Sequence, residues 1–484
     1  MNRQIAVLFR ISAVGIAVLI TMTAYWQIWA APSLAVRQDN ARLVYRQLEI
    51  KRGLIYAANG STILATNHPV KRDGQTIYLR RYPLGPLFAH AVGYNTIGQG
   101  RTGTELYYND YLTASNADLS TVLGSISDQL QGQTVTGNNV VTSLSVPAQR
   151  AAVTGLQGKV GAVVALNPTT GQILAMASTP GFNPNTVGAD FGKLATTAGA
   201  PLLNRGTQGL YPPGSTFKVV TTAAALNTGQ YTPATVINGH GSCITVFTLL
   251  CNAGGESAGD VSLSTALTYS YNTVFAQVGQ KLGKAVLYDY MQRFGFFQPP
   301  PLDYPSNEMA TSGLYQRGNL LSPSAPVDVA RLAIGQERLL STPLQMAEVA
   351  ATIANKGVRM RPTIVDRVVS PSGHAVLTNH PEAIERVVKP VVAAEMTLMM
   401  RKVVEEGTGQ TANLGSLPVA GKTGTAEIGV GNLNDAWFIA FAPATAPKIA
   451  IAVVVEHTPE FGATAAAPIA KSVIEAYLPS GVAK

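Results

Sequence analysis

The chain has 484 residues, too many for one ordinary domain and about right for two or three. Hydrophobic residues make up 46% and charged residues 13%, enough to bury a sizeable core and to exclude wholesale disorder. The net charge of +8 is scattered, with no basic stripe interleaved with aromatics, so nucleic acid is not an expected partner; anionic lipid or cell-wall polymer suits such a surface better.

Residues 11–31 carry no charge. About 20 apolar residues at roughly 1.5 Å each cross a bilayer's hydrocarbon core, so one transmembrane helix is predicted over 11–31, after a short tail of residues 1–10. Tyr25, Trp26 and Trp29 sit at its end, where an aromatic belt forms, and Arg3 and Arg10 flank its start. A cleaved signal peptide is the competing reading, with small residues at Ala30, Ala31 and Ala35, but the apolar stretch is long for one. Arg37, Arg42 and Arg46 lie just beyond the span, so charge alone does not orient it. The chemistry argued below places the N-terminus in the cytoplasm and the bulk outside, in a single-pass protein of the cell membrane. No second span of this length is found.

Residues 32–140 are expected to form a small β-rich front module. Its first part, residues 38–48, reads as a polar helix or stalk. Residues 51–112 then read as short strands broken at Ala58-Asn59-Gly60, Arg72-Asp73-Gly74 and residues 98–103, and residues 119–137 as a polar connector. From residue 141 the texture changes. Ala162-Val163-Val164-Ala165-Leu166 is a buried-strand run, Asn167-Pro168-Thr169-Thr170-Gly171 a turn, and Gln172-Ile173-Leu174-Ala175-Met176-Ala177 the return strand. Residues 436–442 and 449–456 make a second hairpin near the C-terminus. Between them the periodicity predicts helices over 215–227, 264–282 and 343–356. Strands at both ends with helices between give an α+β domain over 141–484, built on an antiparallel sheet. Its two cysteines, Cys243 and Cys251, could close a short loop in an oxidising compartment, or be two unrelated small buried residues; outside the cytoplasm a disulfide is expected. Six scattered histidines and no paired Cys/His spacing leave no expected metal site, and none of the histidines falls in a motif.

Three short motifs carry the chemistry. In Tyr211-Pro212-Pro213-Gly214-Ser215-Thr216-Phe217-Lys218 the loop breaks and a helix begins at Ser215. Positions i and i+3 share a helix face, so the Lys218 amine can reach the Ser215 hydroxyl. A serine needs an adjacent base to become a nucleophile, and a lysine serves if burial and nearby cations lower its pKa. The helix start also offers backbone N–H groups to a developing oxyanion. Taken alone, a serine and lysine at this spacing are usually a helix cap and a surface cation. In Ser270-Tyr271-Asn272 a hydroxyl could relay a proton and an amide could hold a carbonyl, although a capping pair is the ordinary explanation. Lys422-Thr423-Gly424-Thr425 precedes the strand at 436–442; Lys and Thr on a strand edge bind a carboxylate, and Gly424 permits close approach. Gly421-Lys422-Thr423 also imitates the end of a phosphate loop, but Gly415 and Gly421 are one residue too far apart and Pro418 fits poorly. The three motifs occur once each and in order, which coincidence does not explain; this set is a known signature of penicillin-binding proteins and class A β-lactamases.

On these residues the chain resembles the class B penicillin-binding proteins, monofunctional peptidoglycan D,D-transpeptidases. The resemblance extends to Thr170-Gly171-Gln172-Ile173-Leu174-Ala175-Met176, Ile334-Gly335-Gln336, Thr342-Pro343-Leu344-Gln345-Met346-Ala347, Gly407-Thr408-Gly409 and Ala420-Gly421-Lys422-Thr423-Gly424-Thr425-Ala426-Glu427. In the front module, Arg52-Gly53 and Gly103-Thr104-Glu105 resemble the family's pedestal motifs, and the small size looks most like the actinobacterial PbpA type. Arg52 and Glu105 are read as an interdomain structural pair, with surface residues as the alternative.

The resemblance implies a penicillin-binding, β-lactamase-like transpeptidase fold: an antiparallel sheet with helices on both faces and a helical subdomain. It implies a Ser215 acyl-enzyme formed from stem peptides or their lipid-linked precursor, covalent reaction with β-lactams, and no cofactor. Lys218 would take the serine proton, and Ser270 with Lys422 would return one to the leaving amine. Asn272, Thr423, Gly424 and Thr425 would line the peptide, with the Ser215 and Thr425 N–H groups as oxyanion hole. Tyr271 departs from the smaller residue common in that motif and is expected to reshape the cleft wall. Glu427 is read as structural, since Lys218 fills the role of base. A hydrolase on the same scaffold, a D,D-carboxypeptidase or β-lactamase, is the main alternative, and a non-enzymatic penicillin-binding sensor the other. The roughly 120 residues between span and catalytic region are too few for a glycosyltransferase domain. Polymerisation would then fall to a partner, by resemblance a SEDS-type glycosyltransferase among the division or elongation proteins.

Overall fold

The computed structural model describes residues 2–30, 47–72, 74–116, 121, 134–429, 431 and 433–478. Most of the expected stalk at 38–48 and of the connector at 119–137 lies outside these residues. The N-terminal helix Asn2–Ala24 continues as wider turns over Tyr25–Ala30. Residues Arg3–Ala30 are long and apolar enough to cross a membrane, and the most apolar part of this helix is packed against nothing else in the fold.

The centre of the larger domain is a five-stranded antiparallel sheet in the order Ala420–Glu427, Asn434–Ala442, Ile449–Thr458, Gly161–Leu166, Ile173–Thr179. Both predicted hairpins are present, and they meet along Ile449–Thr458 and Gly161–Leu166. Successive side chains on a strand point to opposite faces. Val163, Ala165, Phe438 and Ala440 therefore bury against the helices Val146–Gly155 and Ala467–Tyr477 on one face. Ala162, Val164, Trp437 and Ile439 bury against Pro343–Ala354 on the other. The helix Pro343–Ala354 is buried along its whole length, with Pro343 in its first turn and the Thr342 side chain accepting from Gln345 N–H as N-cap. A sheet covered on both faces offers a ligand only its edges, and Ala420–Glu427 is one of the two edge strands.

Two expectations about local structure are corrected. The helix predicted over 264–282 is two helices, Leu263–Tyr269 and Asn272–Arg293, broken where Ser270 takes left-handed backbone at φ 64°. The stretch 51–112 is not strands alone but includes the short helices Gly85–Phe88, Ala89–Val92, Gly103–Tyr107 and Asn109–Leu112. The sheet of the front module also draws on strands beyond residue 140. Its six-stranded sheet runs Ala375–Thr378, Val365–Val369, Asn139–Thr142, Ile55–Tyr56, Ile63–Arg72, Gln75–Arg81, so two strands come from far along the chain. Four-residue strands do not fill such a sheet from one segment, and pairing satisfies backbone groups that would otherwise be orphaned.

Arg52 and Glu105 are both buried, and Glu105 accepts from Arg52 Nε at 2.8 Å and from Arg80 Nε. They join parts of the front module to each other, so they are neither surface residues nor an interdomain pair. The charges of Arg80 and Arg52 hold the Glu105 carboxyl below its usual range, against the burial that would raise it.

Candidate active site

A cleft of about 1080 Å³ opens beside the edge strand Ala420–Glu427 and exposes Ser215, Ser270, Asn272, Thr423 and Thr425 on its walls. Ser215 lies in the one-turn helix Gly214–Phe217, and the α-helix proper starts at Lys218, three residues later than the periodicity suggests. The turn is held from three sides. Thr216 Oγ1 donates to Pro213 O at 2.7 Å, Gly214 N–H donates to Gly335 O at 3.0 Å, and Trp437 Nε1 donates to Pro212 O at 2.9 Å. A Cβ on Gly424 would sit 2.8 Å from Thr216 Cγ2, and one on Gly214 would sit 2.8 Å from Thr425 O. The glycines thus let the strand's backbone lie directly against the serine turn, which brings the Ser215 and Thr425 main chains side by side.

Lys218 points inward from the next turn and is fully buried. Its Nζ donates to Asn272 Oδ1 at 2.6 Å and Ser270 O at 2.7 Å, lies 3.2 Å from Ser270 Oγ, and sits 5.4 Å from the centre of the Phe275 ring. Strand alternation sends Thr423 and Thr425 to the cleft and Lys422 to the opposite side, where it too is fully buried. Its Nζ donates to Ser270 Oγ at 2.9 Å and Thr423 O at 3.1 Å. Among the described residues neither amine forms an ion pair with a carboxylate. Burial, and then the charge of Lys422, pushes Lys218 well below the ordinary lysine pKa; burial brings Lys422 down to about 7.

Two amines therefore converge on one hydroxyl. A serine hydroxyl accepts and donates, so with Lys422 donating to its oxygen the Ser270 proton is left for a group in the cleft. Left-handed backbone at a serine costs about 1–2 kcal/mol, and here it turns the Ser270 carbonyl toward Lys218 and its hydroxyl toward Lys422. The break in the helix is thus what places the motif. Thr408 Oγ1 lies 2.6 Å from Thr423 Oγ1, and Gly407 fits where a Cβ would meet Thr268 O at 2.3 Å. Gly407-Thr408-Gly409 accordingly packs the second motif against the third, a role its sequence did not disclose. Tyr271 and Glu427 line the cleft as well.

Sequence reasoning missed the near wall. Cys243 and Cys251 form a disulfide that closes the hairpin Cys243–Thr245 with Leu249–Cys251. Asn272 Nδ2 donates to Cys251 O at 2.9 Å, and Asn252 Oδ1 accepts from Thr273 N–H at 3.0 Å. The paired cysteines signalled the loop, but nothing in the sequence tied it to Asn272. His90 is buried, with its pKa lowered to about 4 chiefly by desolvation, and Nε2 bonds Pro201 O away from the cleft.

Residues 161–475 match the penicillin binding protein transpeptidase domain family, and residues 52–140 match the penicillin binding protein A dimerisation domain family. The peptidoglycan D,D-transpeptidase PbpA of Mycolicibacterium smegmatis is 37% identical, over 97% of this chain and 98% of the relative. The PbpA of Mycobacterium tuberculosis is 35% identical, over 98% and 99%. The solved structure of penicillin-binding protein A from M. tuberculosis as a ceftriaxone acyl-enzyme complex superposes with a TM-score of 0.80 at 34% identity, over 90% of this chain and 99% of that one.

Proposed function

The chain belongs to the class B penicillin-binding proteins as a peptidoglycan D,D-transpeptidase, and on that premise we propose that Ser215 is its nucleophile and Lys218 the first proton acceptor. Ser215 Oγ attacks the carbonyl of the penultimate D-Ala of a stem peptide while Lys218 takes the hydroxyl proton. The tetrahedral oxyanion lies between the N–H groups of Ser215 and Thr425, whose main chains are already adjacent. As the C–N bond breaks, the Ser270 proton passes to the leaving D-Ala amine and Lys422 restores it. Asn272 and Thr425 hold the peptide, and Thr423 and Thr425 with buried Lys422 attract its terminal carboxylate. A neighbouring stem's amine then attacks the acyl-enzyme, forms the crosslink and frees Ser215. A β-lactam enters the same path, and its ring-opened acyl group stays on Ser215.

The observation that carries this reading is the pair of buried lysine amines, without a carboxylate partner among the described residues, meeting at Ser270 in the wall of the cleft that Ser215 also lines. Residues 11–31 anchor the enzyme with its N-terminus in the cytoplasm and its cleft outside, where stem peptides are found. A SEDS-type glycosyltransferase supplies polymer from the lipid-linked precursor against the span and front module. The test is labelling with a fluorescent penicillin: wild type forms a covalent adduct, while Ser215→Ala and Lys218→Ala do not. A stable adduct on Ser215→Ala overturns the assignment of the nucleophile.

A further inference from the structure

The hairpin of residues 243–251 does more than border the cleft. Its last strand and the residue after it run alongside the start of the helix Asn272–Arg293. Cys251 O accepts from Asn272 Nδ2 at 2.9 Å, and Asn252 Oδ1 accepts from Thr273 N–H at 3.0 Å and Thr273 Oγ1 at 3.3 Å. Asn252 is itself buried and fixed: its N–H donates to Ser242 O at 2.8 Å and its Nδ2 to Glu256 O at 2.9 Å. From the other side Arg331 Nη2 bonds Thr248 Oγ1 and Leu249 O. The disulfide joins Cys243 to Cys251, the residue whose carbonyl holds Asn272.

A carboxamide has one accepting end and one donating end. A backbone carbonyl only accepts, so Cys251 O holds the Nδ2 end and leaves Oδ1 for Lys218 Nζ, 2.6 Å away. A neutral amine has two N–H bonds and one lone pair. Asn272 Oδ1 and Ser270 O take both N–H bonds of Lys218, at 2.6 and 2.7 Å, which on the mechanism proposed above leaves the lone pair for the Ser215 hydroxyl. With the amide turned round, its N–H would face the amine. Lys218 would have to point its lone pair at Asn272 and would no longer serve Ser215.

We propose that the disulfide-closed hairpin is a positioning element for acyl transfer: through Cys251 and Asn252 it fixes the amide of Asn272 and so aims the Lys218 amine at Ser215. This rests on Lys218 as the proton acceptor, as argued above. The enzyme then reaches full acylating power only where the disulfide forms, which is the oxidising side of the membrane.

The groups facing Lys218 set the sign of the test. They are Lys422 from the edge strand, Ser270 and Asn272 from the break, and the Phe275 ring. An amide free to turn is a poorer acceptor for the ammonium form, so the protonated lysine is disfavoured and the acid limb of the acylation rate moves to lower pH. A hairpin that merely kept water out would act oppositely, since hydration of Lys218 raises its pKa and moves the limb up.

The measurement is the acylation rate with a fluorescent penicillin across pH, on full-length protein in detergent, beside the melting temperature. Three preparations are compared: wild type; wild type reduced with a water-soluble phosphine that is then removed; and Cys243→Ser/Cys251→Ser. In the reduction the phosphine takes oxygen from water as the S–S bond becomes two thiols. We expect the reduced and serine proteins to acylate roughly tenfold more slowly, with the acid limb at lower pH, and reoxidation to restore the wild-type protein. Equal rates, or a slower rate with the limb unmoved or at higher pH, overturn the proposal. If the serine variant does not fold, reduction and reoxidation of wild type decide alone. Failure of oxidised wild type to label would refute the Ser215 reading, whereas equal labelling before and after reduction refutes only the role of the hairpin.

Discussion

Gly335→Ala tests how closely the serine turn is held. Gly335 sits at φ 77°, and its carbonyl accepts from Gly214 N–H, the residue before Ser215. A Cβ at Gly335 would lie 2.0 Å from Gly214 O and 2.8 Å from Phe217 Cβ. An ordinary contact needs about 3.4 Å, so the turn must retreat by about 1.4 Å or the hydrogen bond must open. Left-handed backbone at alanine adds about 1–2 kcal/mol, which lowers the melting temperature by only about 2–8 °C in a domain of this size. A displacement of about 1 Å at a reacting group, in contrast, costs about a hundredfold in rate. The variant is therefore expected to fold, to melt a few degrees early, and to acylate about a hundredfold more slowly. Labelling time courses with fluorescent penicillin, read beside thermal melts, measure both. A folded variant that acylates at the wild-type rate would show that the Gly335–Gly214 contact does not position Ser215.

Two further outcomes follow from buried charge. Lys422→Met abolishes acylation yet stabilises the fold at pH 6, by about 1–3 kcal/mol. The sign is set by the folded pKa of about 7 against 10.5 unfolded: below pH 7 both states carry the proton and the folded state bears the burial of the ammonium in full, and between 7 and 10.5 stability recovers as pH rises. The gain should shrink at pH 9, and a wild type more stable than the variant at pH 6 would contradict it. Glu105→Gln leaves buried Arg52 and Arg80 without their shared carboxylate and should cost about 3–5 kcal/mol. Urea melts check this; an unaltered midpoint would mean the cluster adds no stability.

What could be read in the sequence follows from how locally each feature is determined. The two sheet hairpins were legible because each is a short apolar run, a turn and a second run, with partners that are neighbours in the chain. The helix Pro343–Ala354 was legible because Thr342 and Pro343 mark its start. The break at Ser270 was not. No Gly or Pro interrupts Thr268-Tyr269-Ser270-Tyr271-Asn272, and what turns the chain there is Lys218 and Lys422 arriving from elements far away in sequence. The three motifs that meet at the cleft were recognisable by residue type and order, since the proposed chemistry needs particular side chains. The contact of Cys251 with Asn272 uses a backbone carbonyl, which any residue supplies, and so leaves no mark on the sequence.

The front module shares its sheet with residues far along the chain. Its sheet recruits Val365–Val369 and Ala375–Thr378, and Asp303 fastens that return. The Asp303 carboxylate accepts from Tyr108 Oη at 2.6 Å on one side and from Ile364 N–H at 2.6 Å and Thr363 Oγ1 at 2.9 Å on the other. Nearby, the Glu308 carboxylate accepts from Gly103 N–H at 3.1 Å, and its backbone carbonyl accepts from Thr207 Oγ1 at 2.7 Å. Thr207 belongs to the stretch that runs on through Tyr211 to Ser215, and Tyr211 pairs there with Ser341. A displacement of the helix Gly103–Tyr107 therefore reaches the serine turn through these polar bonds. A hinge at residue 140 would let the front module move without consequence for catalysis. A shared sheet and these two carboxylates make that motion and the geometry at Ser215 one mechanical problem.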